Sequence, residues 1–280
     1  MSFRARIVRP VFIVSTPRSG STLLFETLVK APNLYSTGRE SHARIERVAD
    51  FHPRQRGWSS NRLTAADASA DAVETMAELF YSGLVDRDGR APSGPVRLLE
   101  KTPKNALRVP FFDAAWPDSL FVYLYRDVRQ TLGSMMEAWA SQRFRTYPNL
   151  PGWTGEAWSL LLVPGWRELI GRPLPEIVAH QWATTTNILL DDLERIPAER
   201  VRAISHADFV AAPQRSIEAL ARSLGLEWDR QLGEELPPST MTVSRPDPDK
   251  WRRFQPLIDP VLPIVAAADD RARGLLRRFS

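Results

Sequence analysis

The chain contains no cysteine, which excludes disulfides, thiolate metal sites and a cysteine nucleophile. No apolar run approaches the roughly 18 residues that a membrane-spanning helix needs. The opening MSFRARIVRPVFIV carries too short an apolar stretch for a secretory core of about 7–15 residues. Lysine is scarce: only Lys30, Lys101, Lys104 and Lys250 among 37 basic residues, the rest being arginine. Charge of one sign is not in large excess either, since a net +4 is too small to name nucleic acid as a partner. A cytoplasmic, reducing setting with no membrane span is the expectation.

What is present is an ordinary globular balance, 43% hydrophobic and 25% charged over 280 residues, so the chain is neither a disordered tail nor a coiled coil. That length fits one large α/β domain. PVFIVS (10–15) and SLFVYLYR (119–126) are continuous apolar runs of the kind found in strands buried on both faces. NLYST (33–37), VRLLEKT (96–102) and RVRAISH (200–206) are further strand candidates. Helical spacing follows in STLLFETLVKA, in AVETMAELFYSGL (72–84), in DVRQTLGSMMEAWASQRF and in PEIVAHQWATTTNILLDDLERI. Asp127 and Gln130 are spaced to cap the third of these. PQRSIEALARSLG is a helix closed by Gly225, and a short basic helix ends the chain. Strands alternating with helices predict an α/β fold with a mostly parallel sheet. Residues 147–175 carry five prolines, four glycines and three tryptophans. The reading is a single domain over 1–280, with a Trp/Pro-rich excursion at about 140–175.

The segment after the first strand carries the most chemistry. Ser15-Thr16-Pro17-Arg18-Ser19-Gly20-Ser21-Thr22 turns tightly into a helix N-terminus, where free N–H groups and the helix dipole favour an anion. Gly20 permits close backbone approach, Ser19, Ser21 and Thr22 offer hydroxyls, and Arg18 offers a charged fork suited to phosphate. The P-loop spacing G-x-x-x-x-G-K-[ST] is absent, and an ordinary serine-rich helix cap is the plainer alternative.

PRSGSTLL after a first strand resembles the 5′-phosphosulfate loop of sulfotransferases that use 3′-phosphoadenosine 5′-phosphosulfate (PAPS). In that family the turn holds the 5′-phosphate, and an arginine at a strand end with a serine eight residues on holds the 3′-phosphate. YLYRDVRQTLGS supplies Arg126 and Ser134 at that separation. LLEKTPKN (98–105) is similar to the E-K-T-P stretch of carbohydrate sulfotransferases, and DKWRRF (249–254) to a C-terminal loop that closes over the cofactor. The late strand and helix (200–226) resemble the family's, but His206-Ala207-Asp208 departs from its Tyr-Glu-Asp corner, so no role is carried there. The similarity spans roughly 10–255.

The resemblance makes the α/β fold a P-loop-like three-layer one. It also implies PAPS as cosubstrate, PAP as product, no metal, and a hydroxyl, less readily an amine, of a small-molecule, saccharide or lipid acceptor. Cytosolic members place a histidine base after Lys-Thr; here that position is Pro103. Carbohydrate and tyrosyl-protein members use a glutamate after the second strand, and STGRESH supplies Glu40, with His42 as the alternative. Burial is expected to tune Glu40 upward. Lys101 is the expected transition-state cation, with Arg18 sharing the task; a salt bridge to Glu100 is its plainer reading. Lys250, beside Trp251, either reaches the 3′-phosphate or lies solvated. Trp139, Trp153, Trp158, Trp166 and Trp182 mark the acceptor side, core packing being the other use of tryptophan, and Arg143, Arg145 and Arg167 either meet an anionic acceptor there or form a solvated face. The rivals are a P-loop kinase or nucleotide hydrolase, weakened by the missing P-loop lysine, and a non-catalytic nucleotide-binding protein. Oligomeric state is left open.

Overall fold

The computed structural model describes residues 1–48 and 50–280. Helix α1 (Phe3–Arg6) precedes strand β1 (Val11–Val14), and α2 (Ser21–Leu28) leads to β2 (Leu34–Tyr35). Helices α3 (His42–Ile45) and α4 (Ala70–Tyr81) come before β3 (Arg97–Lys101), and α5 (Val109–Ala115) before β4 (Leu120–Tyr125). Then follow α6 (Val128–Ala140), the strands β5 (Arg145–Tyr147) and β6 (Trp158–Ser159), and α7 (Leu174–Leu193). Strand β7 (Val201–Ser205), helices α8 (His206–Ala211) and α9 (Pro213–Ser223), and finally α10 (Gln255–Ile258) and α11 (Leu262–Phe279) complete the chain.

Five strands form one parallel sheet in the order β2-β3-β1-β4-β7, so the carboxyl ends of all five lie on one edge. The apolar runs of β1 and β4 are explained by burial on both faces. Phe12 and Phe121 point to a core shared with α4, α5 and α7, whereas Ile13 and Val122 point to a core shared with α2 and α9. A third core lies beside the sheet, where the Trp-rich excursion folds onto α6, α7 and α11. The excursion is thus packed rather than loose, although β5 and β6 pair only briefly.

The expected elements are present, shifted by up to three residues at their ends, with two larger differences. Helix α6 stops at Ala140, because Gln142 adopts φ 53° and turns the chain away. The last helix is not short: α11 runs for 18 residues. Pro263 sits in its first turn, where the missing N–H costs no hydrogen bond, and Val265, Ala268, Ala272 and Leu275 form a buried stripe. No helix among the described residues is long and apolar enough to cross a membrane.

Candidate functional site

The site is built where β1, β3, β4 and β7 end on the common edge. After β1 the chain makes a turn with Arg18 at φ 67° and Gly20 at φ 90°, both left-handed. Gly20 is the N-cap of α2 and no side chain caps that helix, so its first amides face the crevice with the positive end of the dipole. Ser15, Thr16, Ser19 and Ser21 are buried, and Thr16 Oγ1 and Ser19 Oγ are 2.7 Å apart. Glycine is required at position 20 by contact as well as by φ: a Cβ there would lie 2.3 Å from Cδ2 of His206. His206 begins α8 just beyond β7, and its ring closes the far side of the turn. Burial, then the nearby Arg126 charge, lowers this imidazole to about 4, so it is neutral at physiological pH.

The two arginines named from sequence converge on this turn. Arg126 Nη1 donates to the Arg18 carbonyl at 3.0 Å, and its Nε to Gln130 Oε1 at 3.2 Å. Gln130 therefore orients Arg126 with its side chain while its backbone N–H takes the Asp127 cap at 3.1 Å. Arg18 Nε donates to Ser134 Oγ at 3.3 Å, and its guanidinium lies 4.7 Å from the centre of the Phe144 ring. Burial, followed by the Arg18 charge, brings Arg126 down to about 10. Arg18 is lowered by burial too, against the attraction of Glu137 and Glu40. Among the described residues neither arginine has a carboxylate within ion-pair distance. Two desolvated cations beside an uncapped helix N-terminus make a place for a polyanion.

The second cluster lies at the ends of β2 and β3. Lys101 is buried, and its Nζ donates to Glu40 Oε1 at 2.7 Å and to Thr22 Oγ1 at 2.9 Å. It pairs with Glu40 and not with the adjacent Glu100, because neighbouring side chains on a strand point to opposite faces. His42 Nδ1 is 3.7 Å from Glu40 Oε2. The expectation that burial tunes Glu40 upward is reversed. Burial does push the carboxyl up, but contacts with His42 and Lys101 outweigh it and hold Glu40 at about 2.

Other expected residues are placed differently. Lys250 Nζ donates to Glu137 Oε2 at 2.5 Å and also bonds Ser244, so it is held by a carboxylate in place of lying free in solvent. Its neighbour Trp251 packs on Gly133, beside Ser134. The same carboxyl-terminal segment reaches the turn itself, where the Met241 carbonyl accepts from Arg18 Nη1 at 3.0 Å. Trp139, Trp158, Trp166 and Trp182 are buried in the third core, stacked edge to face in part, with Trp139 and Trp158 centres 5.3 Å apart. Trp153 is half-buried against them. Arg143 and Arg145 are exposed, and Arg167 donates to the Gly57 carbonyl at 2.9 Å.

Sequence reasoning missed Lys104 and His206. Lys104 is buried, 2.6 Å from Glu46 Oε1 and 3.0 Å from the Tyr147 hydroxyl. Burial, offset in part by Glu46, lowers its ammonium to about 8. Its scarcity as a lysine was a usable signal, and it went unread beside Lys101.

Comparison with known proteins bears on this geometry. Residues 10–230 match the sulfotransferase family. A Caenorhabditis briggsae protein named "Putative protein-tyrosine sulfotransferase" is 27% identical over 128 residues, 45% of this chain and 42% of that protein. The matched part thus spans less than half of that relative. The sulfotransferase from Alicyclobacillus acidocaldarius superposes with a TM-score of 0.51 at 18% identity, covering 98% of both chains. Sulfotransferase STF9 from Mycobacterium avium gives 0.53 at 14% identity, covering 94% of this chain and 76% of its own. The two structures agree on the fold, and the family match runs from β1 through α9 across both arginines, Glu40 and Lys101. This chain belongs to the sulfotransferase family.

Proposed function

We propose that this protein transfers a sulfuryl group from PAPS to a hydroxyl of a small-molecule, saccharide or lipid acceptor and releases PAP, in the cytoplasm. Family membership sets the reaction class. The observation that carries the donor assignment is the convergence of Arg18 and Arg126 at the uncapped start of α2, with no carboxylate to neutralise them among the described residues. Such a site suits a ligand with phosphates at two positions.

PAPS, when bound, supplies a sulfuryl group on a phosphate that can leave. The turn from Arg18 to Thr22 is assigned to the 5′-phosphate through its amides and hydroxyls. Arg126 and Ser134 are assigned to the 3′-phosphate, one charge-assisted donor and one hydroxyl. Lys101, shared between Thr22 and Glu40, steadies negative charge above the turn. Glu40 takes the proton from the acceptor oxygen. At about 2 its carboxylate is a poor base while Lys101 rests on it. An anion at Thr22 competes for that ammonium, and loss of the pairing raises the basicity of Glu40. The excursion of residues 140–175 is assigned to the acceptor side through Phe144, which stacks on Arg18.

Calorimetry with PAP and with adenosine 5′-phosphosulfate, which lacks the 3′-phosphate, tests the donor assignment. Arg126→Ala and Ser134→Ala should each weaken PAP by about tenfold to a hundredfold and the analogue by less than about threefold. Equal losses for both ligands would place the 3′ site elsewhere. Absence of PAP binding by the unaltered protein, with magnesium-dependent ATP turnover in its place, would overturn the reading.

A further inference from the structure

Three consecutive residues, Glu100, Lys101 and Thr102, perform three separate tasks. Lys101 lies beside Ile13 in the sheet register and reaches α2, whereas Glu100 lies beside Phe12 and points to the opposite face. Glu100 is buried and has no ion pair among the described residues. Its Oε1 accepts from Thr102 Oγ1 at 2.7 Å, and its Oε2 from Asn105 Nδ2 at 3.1 Å. Thr102 Oγ1 in turn accepts the backbone N–H of Ser41 at 2.8 Å. Ser41, Thr102 and Asn105 are all buried.

The direction of these bonds follows from chemistry. A backbone N–H can only donate, so Thr102 Oγ1 accepts from Ser41, and its single hydroxyl proton points at Glu100 Oε1. That leaves the hydroxyl lone pairs for the Ser41 amide, the residue directly after Glu40. Apart from the Glu40–Lys101 contact and the backbone pair between Ser36 and Val85, the other side-chain bonds of this loop are local: Gly38 N–H to Ser36 Oγ at 3.1 Å, Thr37 Oγ1 to the Arg39 carbonyl at 2.8 Å, and Thr37 Oγ1 to Ser41 Oγ at 3.1 Å. Thr102 therefore ties the loop to the sheet. A buried carboxylate without a cationic partner is expensive, and burial pushes Glu100 upward against the pull of Thr102 and of Lys101. A site needed only for packing would hold an apolar residue, as Leu98 does on the same face.

We propose that Thr102 is a positioning residue for Glu40, its hydroxyl oriented by the buried Glu100 carboxylate so that Ser41 is pinned and Glu40 is held opposite Lys101. This rests on the reading of Glu40 as the base and names what aims it.

A double-mutant cycle on the full-length protein tests it without donor or acceptor. Glu40→Gln, measured by urea unfolding at pH 6, should lower the folding equilibrium constant by about tenfold or more. In a Thr102→Val background the same change should cost less than about threefold, because the Glu40–Lys101 contact is already lost. Thr102→Ser, which keeps the hydroxyl, should restore the full effect. Glu100→Leu, which removes the acceptor of the Thr102 hydroxyl, replaces Thr102→Val in the cycle if the valine variant does not fold. PAP affinity should stay within about twofold in the Thr102 variants, since the donor turn is untouched. Equal losses in the two backgrounds, failure of serine to restore the coupling, or a fall in PAP affinity of tenfold or more would each overturn the proposal. PAP binding by the unaltered protein is read separately, so failure of the functional assignment is distinguishable from failure of this one.

Discussion

The cations around the crevice fall into two sets that are neutralised in opposite ways. Arg18 and Arg126 bond carbonyls, a hydroxyl and an amide, and no carboxylate. Lys101, Lys104 and Lys250 each sit on a glutamate: Glu40 at 2.7 Å, Glu46 at 2.6 Å and Glu137 at 2.5 Å. Guanidinium groups are weakly hydrated and stay charged when buried, so they can be left as a standing demand for an anion. An ammonium loses its proton more readily on burial, and an internal carboxylate keeps it charged until a ligand takes over. On the proposed function, the arginines select the donor and the lysine pairs respond to it.

The sharpest way to break that contrast is at Glu40. Glu40→Gln should cut transfer from labelled PAPS by about a thousandfold while PAP affinity is unchanged or tightened, as Lys101 is released. Loss of PAP binding in step with turnover would move Glu40 into the donor site and merge the two sets. A smaller effect is expected on stability in acid. The folded value of Glu40, about 2, lies below its ordinary 4.5. Its contribution is therefore full above about pH 5 and disappears as pH falls from 4.5 to 2, on the order of 2 kcal/mol. Urea titrations should show the unaltered protein losing its advantage over Glu40→Gln across that window; a constant gap would mean the pair does not form. The smallest effect is expected at Glu137, whose carboxylate also holds Arg253. Glu137→Gln should tighten PAP by about threefold if Lys250 can turn to the donor, whereas unchanged or weaker binding would make that pair purely structural.

Much of this architecture was legible because it rests on local pattern. Unbroken apolar runs at 10–15 and 119–126 announced strands covered on both sides, and each was followed by a helix start whose chemistry could be read. Arg18, Gly20, Arg126 and Ser134 stood out for that reason. What could not be read depends on residues far apart in the chain. Glu137 meets Lys250 across 113 positions, and Glu46 meets Lys104 across 58. The downward shift of Glu40 differs from expectation because contacts with His42, two residues on, and with Lys101 outweigh its burial; burial is foreseeable from sequence, but which neighbours turn toward the carboxyl is not. Helix α11 is longer than expected because Pro263 lies in its first turn, where a proline begins a helix as readily as it ends one.

The contact between Gly20 and His206 carries a consequence for how the protein matures. With Arg18 bonded to Met241 and Thr240 bonded to Glu26, the crevice beside the turn is closed by residues more than two hundred positions downstream. A ribosome that has delivered only the first two hundred residues has made every amide of the turn, yet no wall behind it. On the proposed function, the cosubstrate is captured only once His206 and Met241 have been made.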